Sequence, residues 1–573
     1  MLNFFKKNWA VFVVLGLCFW AAKALLVPGF FTIHDDEQIA RLFELDSALS
    51  DGQFPVRWVS DLGFGFGYPF FNFYPPFVYY LGELFHKIGF SFIDSMKAVV
   101  FVGFLGSSFF MYLWVKNHFG KLAGIFSALL YTYSSYHAVD IFVRGDIPEF
   151  FSFVWIPAIF WCLDLLFKTQ KLKYAIILSI FLALLVLTHS LIAFPFLFFF
   201  VIYTVFSLFS KGKNLKKNFL LVFSSAAISS LFTMFFWLPV FLEKKFTLVD
   251  QILTQELANY KIHFVYLRQL WESPWGYGGS IFGLYDGLSF EVGKTQLILS
   301  LLVFLVILFS YIKKRKLDEK FKLVLLIFVL FLFSLYMTSF YSQWIWGKIS
   351  LLPYLQFPWR FLLFAAVFSS FLGGFFIYLV QKLNKKISIV LLLILGLIIV
   401  LNSQQNLKPE KYLSVNDSFY TNREDINWKV SKMSFEFVPS GVATKLSDIK
   451  TTQIDVEKKD TPNMPYKVIN GTASVQVISN KSNSKIFKVS SEKESTLQIN
   501  TFSFPGWETI IDEKKVKYKD NNKLKLIVLD IPQGVHLVTA NFVNTMPRAI
   551  GNAVSLITVF NLIGFGLFRL WKK

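Results

Sequence analysis

Four consecutive ionisable residues, His34, Asp35, Asp36 and Glu37, form a dense cluster of acid-base groups near the start of the chain. Carboxylates held this close repel one another, which raises a pKa or recruits a cation. We therefore predict Asp35 and Asp36 as catalytic acids, and as ligands if a divalent cation, Mg2+ or Mn2+, takes part. Metal dependence stays open at this level. A simpler role is also open, in which Asp35 or Asp36 caps a helix over 38–49.

A second charged cluster, Arg144, Asp146 and Glu149, stands between two apolar stretches. A guanidinium can bind a phosphate through two parallel hydrogen bonds, and Glu149 can complete a carboxylate pair with the first loop. The alternative is that the three residues only pair with one another. His189 either binds a substrate or metal ion or is a structural residue whose hydrogen bonds are satisfied internally. Arg360 either binds a lipid phosphate or anchors its helix.

Aromatic residues crowd the run 61–80, which is also rich in glycine and proline. Its glycines are spaced as in a nucleotide loop, but no strand precedes them and no Lys-Ser/Thr follows, which disfavours phosphate binding of that kind. The rings suit either stacking on sugars or an interfacial belt. Glu149 joins Asp35 and Asp36 as a predicted catalytic residue. The predicted substrate-binding residues are His34, Arg57, Tyr74, Arg144, Asp146, His189, Trp359 and Arg360.

These residues are distributed over a very apolar chain. Of 573 residues, 55% are hydrophobic, 19% aromatic and only 16% charged, against about 25% charged in ordinary soluble domains. This composition excludes a soluble enzyme and predicts a polytopic α-helical membrane protein. About twelve apolar stretches approach the length of about 20 residues that crosses a bilayer.

The net charge of +20 allows either a nucleic-acid surface or an insertion signal. Almost all of the excess lysine and arginine falls in short connections between apolar stretches, as the positive-inside rule requires. We therefore expect no nucleic-acid partner, a multi-pass protein of the plasma membrane and both termini in the cytoplasm. The long connections, with the acids, then face outward. Cys18 and Cys162 lie in apolar runs, so no disulfide framework is expected.

The region after the eleventh apolar stretch changes to Lys, Ser, Asn, Thr and Asp. Alternating runs at 473–478, 496–499, 523–528 and 535–540 predict strands of a β-sandwich-like domain. The predicted organisation is a transmembrane domain over 1–401 with outer loops at 31–95, 140–149, 243–294 and 339–360, an extracytoplasmic β-rich domain over 402–548, and a final membrane helix with a basic cytoplasmic tail over 549–573.

Several motifs resemble a known group of bacterial membrane proteins. His34-Asp35, Arg57-Trp58 and the run 65–76 look like the first loop of the proteins labelled "6-pyruvoyl-tetrahydropterin synthase-related". Arg144-Gly145 with Glu149, and the run 356–360, resemble further signatures of that group. The run 504–507 and the final apolar stretch are similar to YfhO-like proteins.

Both groups are similar to GT-C glycosyltransferases, and this resemblance implies a polyprenyl-phosphate sugar donor, an acid in the first outer loop and an exoplasmic soluble domain. Asp35 matches the His-Asp position, and Asp36 supplies a second acid. The implied reaction transfers a sugar to an extracytoplasmic acceptor, which is a cell-envelope glycan, lipid or protein. A transporter or flippase of a lipid-linked glycan and a non-enzymatic envelope scaffold remain alternatives.

Overall fold

The computed structural model describes residues 2–210, 214–254, 258–447 and 451–571, with side chains between residues 8 and 564. Lys572 and Lys573 of the predicted basic tail lie outside the described residues. Within them, the helices of ten residues or more are α1 (Leu2–Ala21), α2 (Gln38–Ser50), α3 (Phe77–Lys87), α4 (Phe92–Phe119), α5 (Lys121–Thr132), α6 (Ile147–Thr169), α7 (Leu172–Thr188), α8 (Ser190–Ser210), α9 (Leu215–Phe232), α10 (Met234–Glu243), α11 (Lys294–Lys314), α12 (Glu319–Thr338), α13 (Leu362–Leu383), α14 (Lys385–Ser403) and α15 (Met546–Trp571).

Shorter α-helices lie at the ends of spans and within the loops. They are Phe70–Phe73, Ser135–Val139, Val249–Ile252, Leu267–Trp271, Gln343–Lys348, Asp417–Tyr420 and Arg423–Trp428. The strands are β1 (Phe30–Phe31), β2 (Tyr412–Leu413), β3 (Thr444–Leu446), β4 (Thr452–Ile454), β5 (Tyr466–Asn470), β6 (Ala473–Asn480), β7 (Ser484–Ser491), β8 (Ser495–Phe502), β9 (Trp507–Ile511), β10 (Lys514–Val516), β11 (Leu526–Ile531) and β12 (Gly534–Phe542).

Eight helices in the described part of the chain are long and apolar enough to cross a membrane, namely α4, α6, α8, α11, α12, α13, α14 and α15. A ninth span is possible if α9 and α10, which meet at an angle of 68°, are counted as one bent crossing. Helices α5 and α7 are apolar but shorter, as is the part of α1 from Asn8 to Ala21. The predicted apolar stretches all fall on these helices, so the polytopic helical class is confirmed, whereas twelve crossings stay a prediction.

The chain divides into two compact units. The first contains Met1–Asp36, Met96–Ser230 and Asn259–Val415. Its centre is α13, whose Gly374 approaches α5 so closely that a Cβ atom there would lie 2.0 Å from the Ser127 hydroxyl oxygen. Small residues allow such close backbone contact, and van der Waals packing of this kind drives helix association in lipid.

A buried carboxylate also joins three helices of the first unit. Asp164 of α6 accepts hydrogen bonds from Trp114 at 3.1 Å and Tyr203 at 3.0 Å, and lies 2.6 Å from the His118 ring. Within apolar surroundings an unsatisfied carboxylate would be costly, so these partners from α4 and α8 make the position tenable.

The second unit contains Glu37–Ser95, Leu231–Ala258 and Asn416–Lys573. Its strands form a five-stranded antiparallel sheet in the order β10-β9-β12-β7-β6 and a three-stranded sheet in the order β11-β8-β5. The ring of Tyr466 in the smaller sheet lies 5.8 Å from that of Phe487 in the larger. The predicted C-terminal sheet region is thereby confirmed, although β11 begins at Leu526 rather than at Lys523.

Candidate functional site

A turn of π-helix positions the charged residues that precede α6. It covers Asp140–Arg144 and follows the short helix Ser135–Val139. Gly145 ends it at a φ of +72°, and Asp146 then caps α6 by accepting the N–H of Glu149 at 3.0 Å. Asp146 and the first turn of α6 are therefore aimed back at Arg144. Such π-turns are frequent at functional sites.

Arg144 is the centre of the resulting cluster. Its Nη1 donates to Glu149 Oε2 at 2.8 Å and also to Asp140, and its Nη2 donates to Asp146 Oδ2 at 3.0 Å. Tyr136 donates its hydroxyl proton to the other oxygen of Glu149 at 2.5 Å. All five side chains are buried. The pairing that the sequence allowed for Arg144, Asp146 and Glu149 is thus present, and it includes two further residues.

Arg360 approaches the same carboxylates from the 3-10 turn Pro358–Phe361 before α13, and His189 approaches them from the α7–α8 connection. Arg360 Nε lies 3.3 Å from Glu149 Oε2, and its Nη2 lies 3.6 Å from Asp146 Oδ2. His189 Nε2 lies 3.2 Å from Arg360 Nη1 and 3.7 Å from Asp146. Arg360 Nε nevertheless makes no hydrogen bond with the described residues. Arg360 is therefore held by charge, with donor capacity left over, whereas Arg144 is fully engaged.

Trp359 closes one side of the cluster. The Arg144 guanidinium lies 4.5 Å from the centre of its ring, and its indole N–H donates to Ser280 at 3.3 Å. A cation over the face of tryptophan is attracted by the ring quadrupole. Trp359 therefore helps to hold Arg144 while its own position is fixed by the loop before α11.

Burial and charge divide the acids of this cluster. Burial, reinforced by repulsion from Glu149, raises the pKa of Asp140 well above its usual range despite Arg144. Burial also acts to raise the pKa of Asp146, but His189, Arg144 and Arg360 together lower it well below its usual range. Burial therefore favours the protonated form of Asp140, whereas the neighbouring cations favour the ionised form of Asp146.

The first loop reaches this cluster through its backbone. The N–H of Asp35 donates to the Arg144 carbonyl at 2.8 Å, and that of His34 donates to the Val143 carbonyl at 3.0 Å. The close passage requires glycine at 145, because a Cβ there would lie 2.4 Å from Ile33 Cδ1. The ring of the exposed His34 lies 2.8 Å from the Tyr277 carbonyl oxygen.

The carboxyl groups of the first loop are more accessible than those of the cluster. Asp35 and Asp36 are half-buried, and burial raises the pKa of Asp36. Helix α2 begins at Gln38 as expected, but the residue at its N-cap is Glu37, which makes no side-chain capping bond. The simpler role considered for Asp35 or Asp36, that of the helix cap, is therefore wrong in this position.

Two predicted substrate-binding residues lie in the other unit. Arg57 donates to Asn72 at 2.8 Å and to Asn552 at 2.8 Å, and Tyr74 stacks on Phe70 with ring centres 4.8 Å apart. Both have structural partners within the second unit, so the structure does not group them with Arg144. The predicted residues that do come together are Arg144, Asp146, Glu149, His189, Trp359 and Arg360, with His34 and Asp35 joined by backbone.

Sequence reasoning missed Tyr136 and Asp140. Asp140 stands four residues before Arg144, a spacing that allows ion pairs along a helix. That signal was available, but no helix was expected in this outer loop. The hydroxyl of Tyr136 reaches Glu149 only because the chain turns sharply between them. The sequence contains no pattern that predicts this turn.

A divalent cation fits this arrangement poorly. Ligand atoms of Asp146, Glu149 and His189 lie within 4.8 Å of one another, and Asp35 and Asp36 belong to no such group of three among the described residues. Both carboxylates are, however, already engaged by Arg144, and Arg360 adds a second positive charge beside them. A divalent cation would have to displace these guanidinium groups, so no step of the proposed reaction uses a metal ion.

Comparison with known proteins places residues 71–408 in a family. They match the family model described as "6-pyruvoyl-tetrahydropterin synthase related domain; membrane protein", which confirms the resemblance found in the motifs. An uncharacterized protein of Lactococcus lactis subsp. cremoris (strain MG1363) is 25% identical over 244 residues, which is 40% of this chain and 40% of that protein.

A solved structure also shows partial similarity. It is an oligosaccharyltransferase of Archaeoglobus fulgidus tethered to an acceptor peptide with the sequon NVT. The identity is 15% and the TM-score 0.41, over 71% of this chain and 55% of that one. The similarity is too low to carry an argument about activity.

Proposed function

The chain belongs to the family of 6-pyruvoyl-tetrahydropterin synthase related membrane proteins, and from its charged cluster we propose that it is a membrane glycosyltransferase. The donor is a sugar linked to a polyprenyl phosphate, and the acceptor is a hydroxyl of an extracytoplasmic glycan, lipid or protein. One observation carries this proposal. A half-buried acid, Asp35, is fixed by a 2.8 Å backbone hydrogen bond beside Arg144, in a cluster whose Arg360 has donor capacity left over.

Asp35 is the proposed general base. Its backbone is anchored, while its partly exposed side chain can meet a substrate. It takes the proton of the acceptor group as that group attacks the anomeric carbon, and the sugar–phosphate bond breaks. The leaving group is the polyprenyl phosphate. A single displacement of this kind inverts the anomeric centre.

Arg360 is the proposed ligand of the leaving phosphate. Charge develops on the bridging oxygen as the bond breaks, and a donor fixed beforehand stabilises it without reorganisation. The free donor capacity of Arg360 supports this role, whereas the donors of Arg144 are used by three acidic side chains. We therefore assign Arg144 to positioning. Glu149 and Asp146 hold the two guanidinium groups apart and in place.

The remaining parts of the proposal concern placement. The cluster lies where α6 and α13 begin, which suits a reaction at a membrane surface rather than at mid-bilayer. We propose that this surface faces outward from the plasma membrane, that both termini are cytoplasmic, and that the region 402–548 is an extracytoplasmic domain that presents acceptor. Basic short connections on the opposite side support this orientation.

The test is transfer by the purified full-length protein in detergent. A panel of polyprenyl-phosphate sugars is incubated with envelope extracts, and products are read by mass spectrometry. Asp35→Asn should abolish transfer while purification yield stays unchanged, and Asp36→Asn tells whether the neighbouring acid shares the role. Asp530→Asn, an exposed acid on β11, is the matched control. Full activity in Asp35→Asn would refute the base assignment, and lipid-linked sugar moved across vesicles without consumption would refute the enzyme.

A further inference from the structure

A cavity of about 350 Å³ opens in the second unit and is lined by none of the residues assigned to sugar transfer. Small-molecule sites typically range from about 300 to 1,000 Å³ and combine apolar walls with a few polar groups. This cavity has such a lining. It is walled by the aromatic residues Phe64, Trp428 and Phe435, and its rim carries Lys432, Lys445 and Gln453.

The glycine-rich run of the first loop builds one wall. Phe64 has a φ of +62°, in the left-handed region that a bulky residue rarely adopts, between Gly63 at +70° and Gly65 at +80°. The Phe64 N–H donates to the Ser431 hydroxyl at 3.1 Å, and Ser431 donates to the Ile426 carbonyl at 2.9 Å. The unusual backbone is thus tied to the segment that carries Trp428.

The rings meet at an angle rather than filling the space. The ring centres of Phe64 and Trp428 are 6.0 Å apart with an interplanar angle of 65°. Phe64 is buried, whereas Trp428 and Phe435 are only half-buried. The indole of Trp428 lines the cavity and can stack on the C–H face of a pyranose through the ring face opposite Lys432, because the ring face is negative and the C–H groups are slightly positive.

The rim of the cavity is positively charged. The ammonium of Lys432 lies 4.0 Å above the Trp428 ring. Lys445 is 3.4 Å from Asp455, but Lys523 holds that carboxylate more closely at 2.8 Å, so Lys445 retains donors. The rim acid Glu457 is already matched by Lys459 at 2.7 Å. A ligand that stacks on the rings therefore lies next to at least two lysines whose positive charge is not fully balanced by a neighbouring acid.

We propose that this cavity binds an acidic saccharide, in which one sugar ring stacks on Trp428 and a carboxylate or phosphate group meets Lys432 and Lys445. Gln453, the register partner of Lys445 across β3 and β4, offers an amide to the hydroxyl groups. A neutral sugar gains only the stacking, and an apolar peptide would bury the lysines without partners. The site is independent of the proposed sugar transfer.

The experiment is calorimetric titration of the full-length protein in detergent with three probes: trigalacturonate, galactose 6-phosphate and neutral maltotriose. We expect saturable binding of one or both acidic probes, at least tenfold tighter than maltotriose. Raising NaCl from 50 to 500 mM should weaken acidic binding, because screening acts on a rim that is open to solvent. The carboxylate and phosphate probes tell the two acidic groups apart. Maltotriose binding as tightly as both acids, or no acid binding at all, overturns the proposal.

Variants of the residues that line the cavity test whether the acidic probes bind there. Trp428→Ala should weaken acidic binding at least tenfold, Trp428→Phe should restore most of it, and Lys445→Ala should weaken it about three- to tenfold. Lys467→Ala, an exposed lysine on β5, is the charge control, and Trp344→Ala, an exposed tryptophan of the first unit, is the ring control. Wild-type affinity in both Trp428→Ala and Lys445→Ala overturns the assignment.

One further variant separates this site from the proposed function. Asp35→Asn should lose sugar transfer and keep the full affinity for the acidic probe, since none of the residues of this cavity belongs to the first unit. If transfer is never found but the probe binds and responds to Trp428→Ala, the proposed activity fails and the saccharide site stands. Loss of probe binding in Asp35→Asn counts against the independence claimed here.

Discussion

Replacing either arginine of the charged cluster by lysine should give two different kinds of defect. Arg360→Lys keeps a positive charge next to Glu149 and Asp146 but removes the planar group with its extra donors. Arg360 contacts these acids at 3.3 and 3.6 Å, distances that carry charge but little hydrogen bonding. We expect the fold to survive this change and the rate of transfer to fall.

The magnitude follows from what each guanidinium does. Losing one preorganised donor to a developing oxyanion costs about 2.7–4 kcal/mol, or about 100- to 1,000-fold in rate. Arg144, by contrast, binds three buried acidic side chains. A lysine has no fork to serve them together, and leaving a buried charge without its partner costs about 3–5 kcal/mol. Arg144→Lys should therefore lower stability first.

The assay pairs transfer rate with apparent unfolding temperature at one fixed heating rate, because unfolding of such proteins is often irreversible. Arg360→Lys should show a rate loss of about 100-fold or more with an unfolding temperature close to wild type. Arg144→Lys should unfold at clearly lower temperature. Wild-type rate in Arg360→Lys, or an equal fall in unfolding temperature for both variants, would refute the division into a phosphate ligand and a positioning residue.

Two further predictions test the electrostatics of each unit. Treatment with EDTA should leave the transfer rate unchanged, because guanidinium groups already neutralise Asp146 and Glu149; a loss that Mn2+ restores would contradict this. In the second unit, Glu243→Gln should destabilise the protein by about 3–5 kcal/mol, because Glu243 accepts from buried Arg548 at 2.9 Å and from Asn72 at 2.9 Å. An unfolding temperature equal to that of the exposed control Asp530→Asn would contradict it.

The sequence was sufficient for the class of fold because lipid imposes a simple rule. Only helices satisfy their own backbone within hydrocarbon, so every long apolar stretch had to be helical. The runs of alternating apolar and polar residues after residue 402 likewise predicted strands such as β6 and β12, because one side of each strand packs inward. Whether the shorter helices α1, α5 and α7 cross the membrane depends on tilt and neighbours, which composition alone does not determine.

The site was only partly predictable, for a different reason. Arg144, Asp146 and Glu149 are close in sequence, so their grouping needed only a helix start. Arg360 joined them in the prediction because charged residues at helix ends share a membrane surface. Asp140 was missed because its contact with Arg144 depends on a π-turn, which has no reliable sequence signature.

Arg57 and Tyr74 remain predicted substrate-binding residues, but the structure does not group them with Arg144. They share a loop with Asp35, and proximity in sequence suggested proximity in space. The chain leaves the first unit after Asp36, however, and both residues are used in the second. Arg57 in particular donates to Asn72 and Asn552, and these contacts account for its burial.

The aromatic run 61–80 belongs to the second unit, and its role there differs from the interfacial belt that the sequence suggested. An interfacial belt would expose its rings to lipid headgroups, yet Phe66, Tyr68 and Phe70 are buried within the second unit, and the left-handed turn at Phe64 forms the wall of a cavity. Because transfer and saccharide binding are proposed as separate properties of the two units, the defects of Asp35→Asn and Trp428→Ala should each leave the other property intact. A raised acceptor KM in Trp428→Ala at unchanged kcat would contradict this, because it would mean that the cavity contributes binding that substrate and transition state share.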